Sequence, residues 1–359
     1  MTNLIGSEPG HVHANAQRVI DFRSDNVASV SPEIIAATLA ANAGTAAPYG
    51  DDQVSAMLND RFSEVFEAKV TVFPIGTGTA ANALALSALT PPYGAIYCHS
   101  AAHIHTSEAG ATELLTGGAK LLPLEGDGYR LQASALANAV ATAGVGIRNR
   151  SQPAAVSLTQ ATEFGTVYRL DELAAIAEVA RSHRLKIHMD GARFANALVT
   201  LGCSPAAATW RVGVDVLSFG CTKNGGLNAD AIVVFNPDLV EDLSYRIRRG
   251  GHTWSKMRFP AAQLLAYVRD ELYLRSARRA NDLAARLAAN IAGIPGVGLA
   301  APVDANEVYL ALPENKIDQL IKNGIQFLRR GPRLIRLVCR FDGSEEDVDN
   351  FITTLRVPE

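Results

Sequence analysis

The chain has 359 residues, 48% of them hydrophobic, and a formal net charge of -3. That length supports one large core and a smaller one, and the charge leaves no electrostatic footprint for nucleic acid or an anionic membrane. The four cysteines (Cys98, Cys203, Cys221, Cys339) lack C-x-x-C spacing, which suits a reduced, cytoplasmic protein and argues against a disulfide scaffold or a zinc finger.

In chain order, residues 1–20 read as a loose N-terminal tail without the basic and apolar segments of a signal peptide. Short apolar, β-rich runs then alternate with helical patterns. Val70 to Ile75 precedes the alanine–leucine helix Ala80 to Leu89, and Ala95 to Cys98 follows the helix stop Pro91-Pro92. Ala154 to Leu158 precedes the helix Leu170 to His183, and Leu185 to Met189, Val214 to Phe219 and Ala231 to Phe235 complete the series. Strands apolar throughout and separated by helices predict an α/β fold with a mainly parallel sheet covered on both faces. The basic run Arg246-Ile-Arg-Arg249 reads as a solvated helix face. No apolar run reaches membrane-spanning length.

The pattern changes near Pro260. One long helix is predicted to run to about Ile291, followed by strands at Val297 to Ala300, Glu307 to Leu312 and Leu334 to Arg340. Helices are predicted at Asn315 to Asn323 and at Glu345 to Leu355, the second capped by Ser344. The mixed order predicts a small α+β domain. The expected division is a tail at 1–20, a large domain at 21–255, and a connecting helix with the small domain at 256–359.

Four stretches carry candidate chemistry. Gly76-Thr-Gly-Thr-Ala-Ala-Asn82 follows a strand and opens a helix. Glycines admit an anion to the backbone and the helix N-terminus supplies free N–H groups. An ordinary glycine turn reads equally well, and neither a dinucleotide fingerprint nor a P-loop is matched. Asp190, at a strand end, can hold a pyridine nitrogen protonated, and Arg193 can reach a phenolic oxygen beside it. Alone, this is also an Asp-Gly turn. Lys223 follows the buried run Val214 to Phe219 and is a candidate for a Schiff base. A histidine lies between the glycine loop and Asp190, in Ala102-His103-Ile-His105. An imidazole can stack on a cofactor ring and move protons. His99, His103 and His105 match no standard metal spacing, and no metal is expected.

These motifs occur in one order, together with Phe22-Arg-Ser-Asp-Asn26, Tyr49-Gly-Asp-Asp52, Lys256-Met-Arg258 and Arg336-Leu-Val-Cys. The set resembles the L-threonine aldolases, the bacterial low-specificity type above all, from about Asp21 to the C-terminus. The resemblance implies the aspartate-aminotransferase-like fold-type I, with a seven-stranded sheet, and pyridoxal 5'-phosphate as cofactor. It implies cleavage of L-threonine, L-allo-threonine and related β-hydroxy-α-amino acids to glycine and an aldehyde.

Carried over position by position, Lys223 resembles the lysine that bonds the cofactor, Asp190 the pyridinium partner, Arg193 the ligand to the ring oxygen and His103 the stacking residue. Gly78, Thr79 and Thr222 match cofactor contacts. Ser24 and Arg336 resemble the groups that hold the substrate carboxylate, where Arg193 is also placed. Arg258 and Tyr49 resemble residues that reach a neighbouring subunit's cofactor and substrate, within a homotetramer of paired dimers that share sites. Two positions depart from the family. Glu163 fills the place where many members carry a histidine, which makes it a candidate base for the β-hydroxyl. Ser107 stands where close relatives have an aspartate near the substrate side chain.

Overall fold

The computed structural model describes residues 19–357, so the part of the expected tail at 1–18 lies outside the described residues. Seven strands build the large sheet: β1 (Thr71–Ile75), β2 (Gly94–His99), β3 (Lys120–Leu124), β4 (Gln152–Thr159), β5 (Lys186–Gly191), β6 (Val216–Phe219) and β7 (Asp230–Val234). Their order across the sheet is β3-β2-β4-β5-β6-β7-β1. Neighbours from β3 to β6 are parallel, and only β7 runs against both of its neighbours. The expected α/β class and mainly parallel sheet are both present.

The central strands are apolar throughout because both faces are covered. Successive side chains of a strand point to opposite faces. Tyr97, Leu217 and Phe219 join a core with helices Gln53–Phe66, Leu170–Ser182 and Arg258–Val268. Ile96, Val216 and Ile232 pack into a second core with helices Gly78–Leu89 and Val240–Arg249.

The single long helix expected after Pro260 is two helices, Arg258–Val268 and Leu272–Ile291. Asp270 and Glu271 adopt positive φ, 49° and 55°, and break the run. Beyond it lie β8 (Gly298–Leu299), β9 (Glu307–Ala311), β10 (Leu328–Gly331) and β11 (Leu334–Val338), in an antiparallel sheet of order β10-β11-β9-β8. Leu283, Leu287, Val308, Leu310, Ile335, Leu337 and Phe351 form its core. Ser344 caps helix Glu345–Arg356, its hydroxyl accepting from Asp347 N at 3.1 Å.

The N-terminal segment is tied to this second sheet. Phe22 N donates to Gln326 O at 2.8 Å, and Val338 N donates to Phe22 O at 2.9 Å. The chain then passes through Asp25 toward the end of the large sheet. No helix among the described residues is long and apolar enough to cross a membrane.

Candidate active site

The C-terminal ends of β1, β4, β5 and β6 and the start of antiparallel β7 meet at one end of the large sheet. A cavity of about 310 Å³ opens there. Ligands of open α/β sheets bind at such strand ends.

After β1 the chain turns through Gly76 and Thr77 into helix Gly78–Leu89, and the Thr77 hydroxyl caps it by accepting from Ala80 N at 3.2 Å. First-turn amides have no partner within a helix and carry its positive dipole end. Gly78 and Thr79 place that end on the cavity. The Thr222 hydroxyl oxygen borders the same cavity, buried and without a hydrogen-bond partner among the described residues. Amides and an unsatisfied hydroxyl make a seat for an anion.

Asp190, the second-last residue of β5, is buried. Its Oδ1 accepts from Ala192 N at 3.0 Å and its Oδ2 from Asn82 Nδ2 at 2.9 Å. Asn82 Nδ2 also donates to Glu108 Oε1 at 2.9 Å, and that oxygen lies 2.8 Å from His103 Nδ1. The bond to Glu108 raises the His103 pKa above the ordinary value, against the opposing effect of burial.

Lys223 reaches the cavity from the turn after β6. Gly220 makes this possible, because a Cβ there would sit 2.4 Å from the Ala192 carbonyl oxygen. The absent side chain lets the Lys223 turn press against the Asp190 turn. Asp230, opening β7, accepts from Cys221 N at 2.8 Å and Thr222 N at 3.0 Å. Asn224 Nδ2 anchors the far side on Tyr267 Oη at 2.7 Å and Tyr273 O at 2.8 Å.

Glu163 borders the cavity beyond β4. Its Oε1 accepts from His103 N at 2.6 Å and from Thr159 Oγ1 at 3.2 Å. Burial, reinforced by the charge of Asp190, pushes its carboxyl up to about 7. A carboxyl with that affinity can exchange protons at neutral pH.

Arg193 is buried, and its guanidinium is already engaged. Nε donates to Asp25 Oδ2 at 2.7 Å and Nη2 to Asp25 Oδ1 at 3.1 Å, while Nη1 lies 3.3 Å from Glu307 Oε2. Burial pushes Asp25 upward, but Arg193 and Lys223 outweigh it and hold the carboxyl below its ordinary value.

Lys223, Asp190, His103, Glu163, Gly78, Thr79, Thr222 and Arg193 therefore border one cavity. Ser24, Arg336, Tyr49, Ser107 and Arg258 do not. Ser24 caps the short turn Asp25–Val27, its hydroxyl accepting from Asn26 N. Arg336 Nη2 donates to Arg23 O at 3.2 Å, and Nη1 lies 3.4 Å from Glu307 Oε1. Ser107 is exposed beside Thr106. Tyr49 is 50% exposed, with the Arg248 guanidinium 4.6 Å over its ring. Its amide is held by Ser255 O, close to Arg258, which borders a separate groove with Gly44 to Pro48.

Glu108 and Asp230, which border the cavity, and Asp25 and Glu307, which hold Arg193, are residues to which sequence reasoning assigned no role. Glu307 left a signal, a carboxylate inside an apolar strand, and Glu108 left one five residues after His103. Asp25 and Asp230 left none beyond their place next to the motifs. Among the described residues no group of three or more His, Cys, Asp or Glu side chains is placed to hold a metal ion.

The profile of the β-eliminating lyase family matches residues 21–314. The low specificity L-threonine aldolase of Pseudomonas aeruginosa is 43% identical over 341 residues, covering 94% of this chain and 97% of that protein. The low specificity L-threonine aldolase of Saccharomyces cerevisiae is 26% identical, covering 86% of this chain and 78% of its own. The solved structure of the Leishmania major threonine aldolase superposes with a TM-score of 0.87 at 26% identity, over 94% of this chain and 98% of that one.

Proposed function

The chain belongs to the β-eliminating lyase family, and on that premise we propose that it is a low-specificity L-threonine aldolase using pyridoxal 5'-phosphate. It cleaves L-threonine, L-allo-threonine and related β-hydroxy-α-amino acids to glycine and an aldehyde, reversibly.

The observation that carries this reading is the cavity at the strand ends. Its anion seat, buried carboxylate, lysine and imidazole fit the phosphate, ring nitrogen, carbonyl and ring face of the cofactor. Gly78, Thr79 and Thr222 would hold the phosphate, and Lys223 would hold the cofactor covalently. When bound, the cofactor supplies an electron sink for the pair released at Cα.

The residues of the chain do the rest. Asp190, fixed in place by Asn82 and Ala192 N, would keep a proton on the ring nitrogen. His103, held by Glu108, would cover the ring, and Arg193, which borders the same cavity, would serve the ring oxygen and the substrate. Arg336 and Ser24 would take the substrate carboxylate and so orient the Cα–Cβ bond for cleavage, and a bidentate guanidinium suits that orienting role. Glu163 takes the β-hydroxyl proton as the Cα–Cβ bond breaks and the aldehyde departs. Ser107 contributes to the choice of side chain. Tyr49 and Arg258, off the cavity of their own chain, would serve a neighbour in a cytoplasmic homotetramer of paired dimers.

Purified protein should be yellow with the cofactor and should release acetaldehyde from L-threonine. Initial rates on L-threonine, L-allo-threonine and both L-phenylserine diastereomers define its range. Lys223→Ala should lose both turnover and the visible absorbance. A protein that takes up no cofactor, or a K223A variant with full activity, refutes the reading.

A further inference from the structure

Asp25, Arg193, Glu307 and Arg336 form a buried chain of alternating charge. Their side chains are 3%, 9%, 0% and 13% exposed in that order. Glu307 lies between the two arginines, 3.3 Å from Arg193 Nη1 and 3.4 Å from Arg336 Nη1. The two acids and two arginines cancel. A substrate carboxylate seated on Arg336 would bring a third negative charge to four groups whose charges already cancel, and Lys223, which also faces Glu307, is taken up by the cofactor in the holoenzyme. One acid must then give way, because an unpaired buried charge is expensive.

The two acids are not equivalent. Asp25 accepts two well-formed hydrogen bonds from Arg193. Neither Glu307 oxygen has a hydrogen bond among the described residues, and Arg336 Nε is likewise buried without one. We propose that Glu307 is a positioning residue that holds Arg336 in the free enzyme and accepts a proton from solvent when the substrate carboxylate takes its place. The proton goes onto a Glu307 carboxyl oxygen, and the freed guanidinium turns to the substrate.

The charged and titratable groups facing Glu307 are Arg193 beyond β5, Arg336 on β11, Asp25 in the N-terminal segment, Lys223 in the turn after β6, and Tyr309 on its own strand. Burial already pushes the Glu307 carboxyl upward against the pull of both arginines. A third carboxylate pushes it further in the same direction. Substrate affinity should therefore fall as pH rises through the range between the free and the bound pKa of Glu307.

This proposal rests on the reading of Arg336 as the carboxylate seat, and the test separates the two. The probe is 3-hydroxybutyrate, a carboxylate without an amine to react at Lys223. Its binding to the holoenzyme is measured by calorimetry in two buffers of different ionisation enthalpy, across pH. The wild type should take up close to one proton, with Kd weakening by up to about tenfold per pH unit. Glu307→Gln should bind more tightly, with neither uptake nor slope. Glu163→Gln should retain both.

Arg336→Gln should lose the probe; unchanged binding there refutes the carboxylate seat, and the proposal with it. Loss in R336Q without proton uptake in the wild type leaves the seat standing and overturns the role of Glu307. Uptake that survives in E307Q assigns the proton elsewhere and overturns it as well. The wild-type measurement decides alone if E307Q does not fold.

Discussion

Asp190, Asn82, Glu108 and His103 are joined by hydrogen bonds of 2.8 to 2.9 Å and all border the cavity. Asp25, Arg193, Glu307 and Arg336 carry more charge, but beyond the Asp25–Arg193 pair they meet only through contacts of 3.3 and 3.4 Å. The first group is built from the large sheet and the segments that follow its strands. The second is assembled from the N-terminal segment, the turn after β5, and strands β9 and β11. Asn82 Oδ1 and Glu108 Oε2 of the first group are also buried without a hydrogen-bond partner among the described residues, but its four residues are held to one another by direct hydrogen bonds that fix one geometry, whereas longer ion contacts leave charged groups readier to change partner. The first arrangement suits a cofactor that stays, the second a substrate that comes and goes. Glu163 joins them: its side chain accepts from His103 N, and its carbonyl accepts from Tyr309 Oη of β9 at 2.8 Å.

The largest expected effect tests that junction. Glu163→Gln keeps the acceptor oxygen for His103 N and removes the proposed base. Loss of a general base typically costs roughly a hundred- to ten-thousand-fold in kcat. The base form is the working form, so wild-type kcat should rise as pH rises through about 7, the value to which burial pushes this carboxyl. In E163Q that limb should vanish from the pH–rate profile. If it persists, the proton goes to another group and Glu163 only braces the two regions.

A smaller effect tests the rigidity of the first region. His188, two residues before Asp190 on β5, is clamped between Ser157 Oγ at 2.9 Å and Ser218 Oγ at 3.0 Å. Burial pushes its pKa down to about 4 from 6.5, against the charge of Asp190. The unfolded chain takes up this proton first, so stability is full above about 6.5 and falls as pH drops toward about 4. Urea denaturation should show a loss of about 2 kcal/mol between pH 7 and pH 5 from this group. His188→Gln should flatten that slope. An unchanged slope means that the sheet beneath Asp190 admits a charge and is looser than its hydrogen bonds suggest.

How much of this was legible in the sequence depended on distance along the chain. Asp190 and Lys223 each follow an apolar strand, so local pattern exposed them. Ordered glycine and threonine runs exposed Gly78 and Thr79. Glu307 and Asp25 lie 282 residues apart in numbering, and only the fold brings them to Arg193. Strand β3 escaped because it is an edge strand containing Pro123 and only partly buried, which weakens the apolar pattern. The break at Asp270 and Glu271 escaped because the apolar spacing continues on both sides of it. Ordinary L-residues at positive φ leave no compositional mark. Arg336 was legible as a residue, but its engagement by Glu307 was not.

The comparison itself is tested most directly by removing one charge from each region. Glu108→Gln retains an oxygen to accept from Asn82 Nδ2 and His103 Nδ1, so it removes charge without removing shape. The bond to Glu108 is the main cause of the raised His103 pKa. NMR titration of His103 in the holoenzyme should therefore show its pKa falling back toward the ordinary value. A charged hydrogen bond is worth only about 1 to 2 kcal/mol more than a neutral one, so kcat should fall on the order of tenfold. Glu307→Gln should leave the His103 titration where it was, because its charge acts on Arg193 and Arg336. If E307Q moves His103 as far as E108Q does, the two networks titrate as one electrostatic unit. The cofactor side would then feel every exchange at the carboxylate seat, and the division between a fixed region and an exchanging one would not hold.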